Sequence, residues 1–262
     1  MKIMICGKGG SGKSTITALL ARALNRRGKR VLVVDADESN LCLHRLLGAR
    51  LPEVLMDAMG GRKGVKEQLK PTLPGNDADS LLKDSMTLDD LPSACVAETD
   101  DGVKLLVVGK IVEYGEGCAC MIGSISKAIL ARLRESAGEV ILIDAEAGLE
   151  HFGRRVDAGC DLVLSIVDPS YESVTMADRI RQLADGAGVQ ACFILNKVDD
   201  AVREAMVGRL DRERLLAAIP RNDQLFMQSL HGQALTAEVA EIEAVCSFVL
   251  GYRKPVSLAL KM

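Results

Sequence analysis

Short runs of consecutive apolar residues, separated by stretches with helical spacing, recur along this chain. Such runs predict buried strands, because a strand covered on both faces of a sheet is apolar at every position. The predicted strands are residues 3–6, 30–35, 104–109, 140–144, 162–167, 192–196 and 215–219, and the predicted helices are 14–27, 124–136 and 173–186. Alternation of this kind, with right-handed crossovers, predicts the α/β class: a doubly wound, mostly parallel sheet flanked by helices on both faces, in a three-layer sandwich.

One segment interrupts the alternation. Residues 75–103 carry eight acidic groups against a single lysine, Lys83. We interpret this segment as a solvated surface excursion. The chain has no internal repeat and no linker long enough to demand a second domain, so residues 1–262 are predicted to form one domain.

A glycine-rich motif follows the first predicted strand. It reads Gly7, Lys8, Gly9, Gly10, Ser11, Gly12, Lys13, Ser14, Thr15. This is the P-loop pattern, in which backbone N–H groups close around phosphate oxygens and a helix N-terminus adds partial positive charge. Lys13 would hold the β- and γ-phosphates, and the Ser14 hydroxyl would bind Mg²⁺. The motif predicts a nucleotide site in a P-loop NTPase.

A carboxylate, Asp144, ends the apolar run 140–144, which resembles a Walker B strand. In an open parallel sheet, functional groups gather at the carboxyl ends of the strands. Asp144 is therefore expected beside the phosphates, where it would support Mg²⁺, usually through a water molecule.

Composition bears on which classes of partner the protein could bind. The net charge of −3 and the 3% aromatic content give no electrostatic footprint for nucleic acid and few rings on which bases could stack. No apolar run approaches the length of a membrane span, and the C-terminal residues lack a basic amphipathic helix. We expect neither nucleic acid nor membrane as a partner. Eight cysteines in a P-loop chain favour reduced thiols and a cytoplasmic location.

Lys8 is one lysine more than a P-loop needs. With it the motif resembles the deviant Walker A ATPases, which include the MinD/ParA partitioning proteins, the nitrogenase iron protein and several metal-insertion factors. The resemblance implies ATP hydrolysis in a homodimer that ATP brings together, with Lys8 reaching the partner's nucleotide beside Lys13 and Asp144. It also implies that Asp37 orients the attacking water, although a loop carboxylate of this kind can also be solvated or cap a helix.

The segment after Asp144 separates this chain from the partitioning proteins. Glu146 stands where they usually have proline, and the segment 144–151 resembles the CooC family, ATPases associated with nickel insertion into carbon monoxide dehydrogenase. Residues 35–40 and 167–173 fit the same family.

A Cys118-Ala119-Cys120 motif bears on the same resemblance. One such pair supplies two ligands, and two pairs meeting across a two-fold axis supply four. Thiolates in that number suit tetrahedral Zn²⁺ or square-planar Ni²⁺. CooC proteins carry a Cys-x-Cys at this place, which implies Ni²⁺ (or Zn²⁺) held between two subunits and delivered to a client such as carbon monoxide dehydrogenase.

Two other functions stay open. A MinD/ParA-like partitioning switch has the same P-loop. An iron-protein-like electron donor would hold a [4Fe–4S] cluster with a cysteine at the position of Cys118, although this chain offers His151 where the second ligand of that family lies.

The base of the nucleotide is the last open point. Asn196 and Lys197 are followed by Asp199 in the Asn-Lys-x-Asp pattern of related GTPases. Asn196 reads purine edges in both groups, whereas the aspartate is the guanine-specific element. Pro220 and Arg221 resemble the second adenine-contacting loop of the ATPases. Because an extra lysine at the position of Lys8 is typical of the ATPases and not of these GTPases, ATP/ADP is the expected nucleotide, and GTP is the alternative.

Overall fold

The computed structural model describes residues 1–68, 83, 85–110, 119–145 and 159–254. Its centre is an eight-stranded sheet in the order β3-β4-β2-β5-β1-β6-β7-β8. β3 runs antiparallel to β4, and the other seven strands are parallel. The strands are β1 (Lys2–Gly7), β2 (Arg30–Ala36), β3 (Val96–Glu98), β4 (Lys104–Val107), β5 (Glu139–Ala145), β6 (Leu162–Val167), β7 (Gln190–Asn196) and β8 (Leu215–Ile219).

Helices lie around this sheet. They are α1 (Lys13–Arg26), α2 (Leu43–Leu47), α3 (Leu55–Ala58), α4 (Gly61–Gln68), α5 (Ala119–Arg132), α6 (Tyr171–Gly186), α7 (Asp200–Val207), α8 (Asp223–Leu230) and α9 (Ala240–Gly251). None of these described helices is both long and apolar enough to cross a membrane.

Successive residues of each central strand face different layers. Ile3 and Ile5 pack with α1 and α9 on one side of the sheet, whereas Met4 and Cys6 pack with α5 and α6 on the other. Both faces are covered, which is why the strands have no polar side in the sequence. The predicted doubly wound α/β fold is confirmed, and all seven predicted strands are present within one or two residues of their bounds.

The predicted solvated excursion, residues 75–103, needs a correction in its described part; residues 75–82 and 84 lie outside the described residues. Val96–Glu98 forms the edge strand β3, and the side chains of Met86, Leu88 and Cys95 are buried in the core. The acidic residues cover this edge because basic residues of neighbouring elements pair with them: Asp89 lies 2.6 Å from Arg30, and Asp101 lies 2.6 Å from Arg22.

The same segment determines where helix α5 ends. A helix was predicted over residues 124–136, but α5 spans Ala119–Arg132. It ends earlier because Leu133 forms a parallel bridge with Met86. The backbone N–H of Met86 donates to the carbonyl of Arg132 at 3.0 Å, and the carbonyl of Met86 accepts from the N–H of Arg134 at 2.6 Å.

Replacing Met86 tests whether this segment belongs to the core. We expect Met86→Ala to lower the free energy of unfolding by about 2–5 kcal/mol, because a buried side chain is lost and a cavity remains. Asp100→Ala, at an exposed position of the same segment, should change it by less than about 0.5 kcal/mol. Urea denaturation of both variants measures the difference. Equal free energies of unfolding for the two variants would mean that the segment is a surface excursion after all.

Candidate nucleotide site

The P-loop connects the carboxyl end of β1 to the first turn of α1. Gly7 has φ +145° and Gly12 has φ +101°, and both are conformations that residues with a side chain rarely adopt. A Cβ on Gly7 would overlap the carbonyl oxygen of Ile166, and one on Gly12 would overlap the side-chain amide of Asn196. The loop therefore takes its shape only with glycine at these two positions.

Two residues at the carboxyl end of β7 brace the loop. Asn196 donates from Nδ2 to the carbonyl of Ser11 at 2.7 Å, and Lys197 donates from Nζ to the carbonyl of Gly10 at 2.7 Å. Because both contacts are made to carbonyls, neither of them uses an N–H group of the loop. The structure thus brings both residues to the P-loop, whereas their contact with the purine stays a prediction.

Asp199 caps a helix. Its carboxylate accepts from the N–H of Val202 at 2.8 Å, at the N-terminus of α7. This carboxylate is the one that would read guanine in the GTPase pattern, and here it is engaged with its own helix.

The adjacent strand β8 carries the predicted second base loop at its carboxyl end. Asn196 and Ile219 are opposite each other in the β7–β8 register, so Pro220 and Arg221 lie at the same edge of the sheet as Asn196. The exposed Arg221 guanidinium is paired with Asp223 at 3.3 Å. The structure therefore places both predicted purine loops side by side.

The start of α1 meets the end of β5 through Ser14 and Asp144. The Ser14 hydroxyl donates to Asp144 Oδ2 at 2.6 Å, and Thr17 donates to Asp144 Oδ1 at 3.4 Å. Asn40 donates from Nδ2 to Ser14 Oγ at 2.7 Å. Lys13 is buried and reaches back over the loop to the carbonyl of Lys8 at 3.5 Å.

Burial dominates the electrostatics of this edge. It raises the pKa of Asp144 to about 6, against the opposing effects of the Ser14 hydrogen bond and the Lys13 charge. Burial likewise raises the pKa of Asp35 to about 7, although Lys110 lies 2.7 Å from it. Carboxylates in such surroundings favour a nearby cation, because a second positive charge stabilises their ionised form.

These residues fit Mg²⁺ together with a nucleotide. Within the described ranges no group of three or more His, Cys, Asp or Glu side chains could hold a metal ion by itself. Mg²⁺ in proteins is commonly held by one or two protein oxygens together with phosphate oxygens and water. The hydroxyl of Ser14 and the carboxylate of Asp144 supply such a partial set. The Ser11 hydroxyl, within the loop, is buried and has no hydrogen-bond partner among the residues that the structure describes.

Asp37 lies on the turn after β2. Its carboxylate accepts from the backbone N–H and the hydroxyl of Ser39, at 3.0 and 2.6 Å. It is buried next to the P-loop edge of the sheet, so the structure brings the predicted water-orienting residue to the phosphate side. The role itself stays a prediction.

Lys8 is partly exposed and turns toward the loop after β6. Its ammonium lies 3.4 Å from the hydroxyl of Ser170 and 3.4 Å from the carboxylate of Glu172. Both contacts are long and one is with an exposed acid, so they hold the side chain only weakly. Its action on a partner's nucleotide stays a prediction.

The predicted metal ligands fall mostly outside the described residues. Cys118 lies outside them, as do Glu146 and His151. Cys120 is in the first turn of α5, but its side chain is not described. Four of the other cysteines are buried in the core, namely Cys6, Cys160, Cys192 and Cys246.

Sequence reasoning missed two contributors. Thr17 is one helical turn after Lys13, and this spacing from the P-loop lysine could have indicated it. Lys110 follows the strand next to β2 and contacts both Asp35 and the carbonyl of Asp37, at 2.7 and 2.6 Å. A lysine at the end of an apolar run was the only local signal for it. Asn40 lies in the segment 35–40 that carries the family resemblance, but its direct contact with Ser14 has no local signal in the sequence.

A loop, a lysine, a hydroxyl and two carboxylates arranged in this way define a P-loop nucleotide-binding enzyme. The family model described as the CobQ/CobB/MinD/ParA nucleotide binding domain matches residues 2–235. The chain belongs to this family and is a P-loop ATPase.

Individual relatives agree with the family. The uncharacterized ATP-binding protein MJ0084 of Methanocaldococcus jannaschii is 42% identical, over 94% of this chain and 98% of its own. The carbon monoxide dehydrogenase accessory protein CooC of Rhodospirillum rubrum is 35% identical, over 84% of this chain and 83% of its own. Among solved structures, the septum site-determining protein MinD of Pyrococcus horikoshii, complexed with Mg-ADP, shares the fold with a TM-score of 0.62 at 22% identity, covering 95% of each chain.

The raised pKa of Asp144 predicts a pH effect on the nucleotide- and magnesium-free protein. An unfolded aspartate titrates near pH 4, whereas the folded one titrates at about 6. The folded state therefore binds the proton more tightly. The resulting stabilisation, on the order of 3 kcal/mol at most, is complete below about pH 4 and is lost as the pH rises through about 6.

We expect Asp144→Asn to reduce the slope of the unfolding free energy against pH between about 4 and 6, with the part that Asp35 contributes remaining. Urea denaturation in EDTA across that range measures it, with the exposed Asp100→Asn as the control for removal of one negative charge. The same slope in wild type and Asp144→Asn would contradict the burial argument.

Asn40 gives a graded test of the geometry around Ser14. Asn40→Ala should lower kcat/KM for ATP roughly threefold to tenfold, the equivalent of one hydrogen bond worth about 1 kcal/mol. The isosteric Asn40→Asp should lose more, because it places another carboxylate against Asp144. Steady-state ATPase assays compare the two. An Asp variant as active as wild type would mean that Asn40 does not contact Ser14 and Asp144 in the working enzyme.

Proposed function

We propose that this ATPase is a metal-delivery switch that dimerises on ATP, captures Ni²⁺ through Cys118 and Cys120 of both subunits and releases it to a nickel enzyme such as carbon monoxide dehydrogenase. The observation that carries the proposal is the Cys-x-Cys pair inside a P-loop ATPase. The 35% identity to a carbon monoxide dehydrogenase accessory protein, over more than four fifths of both chains, supports it.

The hydrolytic part uses the site described above. Lys13 would hold the β- and γ-phosphates, and Lys8 of each subunit would reach the partner's nucleotide once its weak contacts with Ser170 and Glu172 are released. Mg²⁺, when bound, supplies positive charge for the phosphates. The Ser14 hydroxyl would hold it, and Asp144, which is hydrogen-bonded to Ser14, would support it.

Asp37 would orient the attacking water. The oxygen of this water would bond to the γ-phosphorus as the bond to the β–γ bridging oxygen breaks, releasing phosphate and ADP. Two donors from Ser39 fix one carboxylate oxygen of Asp37, at 3.0 and 2.6 Å, which sets the direction of the other. Catalysis of this kind is positioning and charge stabilisation.

The strand order supports a connection between the nucleotide and the cysteines. β4 lies next to β2, and β2 lies next to β5. The chain therefore continues toward Cys118 from a strand adjacent to β2, whose following turn carries Asp37. Cys120 stands in the first turn of α5, and a helix N-terminus favours the thiolate form that binds metal.

The nucleotide is proposed to be ATP. Asp199, the residue that would distinguish guanine, caps α7. The 42% identity to an ATP-binding protein supports the same choice.

A partitioning or septum-site switch is the second candidate. The observation that favours it is the fold shared with MinD over 95% of both chains. Such a switch would associate with membrane or DNA when ATP is bound, and would need no cysteine-bound metal.

Nickel titration tests the metal part. The reduced, metal-stripped protein is titrated anaerobically with Ni²⁺, with and without a non-hydrolysable ATP analogue, and its sedimentation is measured in parallel. We expect one Ni²⁺ per dimer, with an affinity that nucleotide shifts, and loss of this binding in Cys118→Ser/Cys120→Ser. Cys42→Ser is the matched control, because Cys42 is the exposed cysteine among the described ones.

Each other result points elsewhere. Nickel binding unchanged in the double cysteine variant would overturn the metal-delivery function. Four irons per dimer in the protein as isolated would indicate an electron donor. Absence of nickel binding together with ATP-dependent sedimentation on liposomes or DNA would indicate the MinD/ParA-like switch.

A further inference from the structure

Lys110 is a buried lysine just beyond the carboxyl end of β4. Its side chain is 7% exposed, and that of its partner Asp35 is 3% exposed. The ammonium donates to Asp35 Oδ2 at 2.7 Å and to the backbone carbonyl of Asp37 at 2.6 Å. It therefore joins the end of one strand to the turn that follows the neighbouring strand.

That turn delivers two side chains to the site. The carbonyl of Asp37 also accepts from the backbone N–H of Asn40 at 3.3 Å, which closes the turn. The Asn40 amide then reaches Ser14 Oγ at 2.7 Å and Asp144 Oδ2 at 3.3 Å. Lys110 thus contacts the backbone carbonyl of Asp37, which also closes the turn to Asn40. Holding this carbonyl in place fixes the turn that carries both the Asp37 carboxylate and the Asn40 amide.

Charge makes a lysine suitable there. Asp35 and Asp144 are opposite each other in the β2–β5 register, and Asp37 is two residues further along. Three buried acids at one edge repel each other, and a buried positive charge between them offsets part of that cost. A neutral donor could hold the carbonyl, but it would leave the carboxylate of Asp35 uncompensated.

We propose that Lys110 is a positioning residue for ATP hydrolysis, which acts by clamping the Asp37–Asn40 turn against the P-loop. This role concerns the ATPase reaction and does not depend on metal delivery. The ammonium of Lys110 is engaged with Asp35 and the Asp37 carbonyl, so it would act through Asp37 and Asn40.

Lys110→Met tests the clamp. We expect kcat to fall on the order of 10- to 100-fold, as for other losses of alignment at a reacting centre, while the KM for ATP stays near the wild-type value because the P-loop is unaltered. Lys2→Met is the matched control. Lys2 is equally buried and donates to the carbonyl of Leu130 at 2.8 Å, but it lies at the opposite end of β1 from the P-loop. It should keep the wild-type kcat.

A double variant separates positioning from folding. Asp35→Asn/Lys110→Met removes both charges, so it should melt closer to wild type than Lys110→Met does, yet it still lacks the donor to Asp37. We expect its kcat to stay low. Recovery of kcat together with the melting temperature would overturn the proposal, as would an unchanged kcat in the single variant or an equal loss in Lys2→Met.

Discussion

The arrangement of the site depends on two buried carboxylates that lie next to each other, those of Asp35 and Asp144. Asp35 and Asp144 end neighbouring strands in register, and burial raises the pKa of each. Such groups stay ionised only if positive charge and hydrogen-bond donors surround them. The sheet, P-loop and turns supply that environment through a small set of side chains: Lys13, Lys110, Ser14, Thr17 and Asn40. A nucleotide with its cation would complete the same balance.

The sheet joins the hydrolytic chemistry to the rest of the molecule by adjacency. β5 ends at the carboxylate beside Ser14, β2 ends at the turn that carries Asp37, and β4 leads into the segment that contains the cysteine pair. These three strands are consecutive in the sheet although they are far apart in the chain. Because a sheet is stiff and close-packed, a displacement at one of these ends is transmitted to its neighbours rather than absorbed.

Local patterns made most of the fold and the P-loop predictable. Continuous apolar runs marked seven strands, and the spacing of glycine, lysine and serine marked the phosphate site. What escaped prediction depends on contacts between distant segments. β3 has three residues within an acidic stretch, so its pairing with β4 left no periodic signal, and the early end of α5 depends on a bridge to Met86. Lys110 escaped for the same reason, since its role arises only where β4 lies beside β2.

The close packing of Gly12 against Asn196 has an evolutionary consequence. Gly12 belongs to the phosphate loop and Asn196 is the last residue of β7, so a side chain at position 12 would displace the Asn196 amide. The phosphate loop and the residue that braces it from β7 therefore form one inherited unit. A descendant of this protein could alter its outer loops without disturbing this contact, but it could enlarge position 12 only by changing position 196 at the same time.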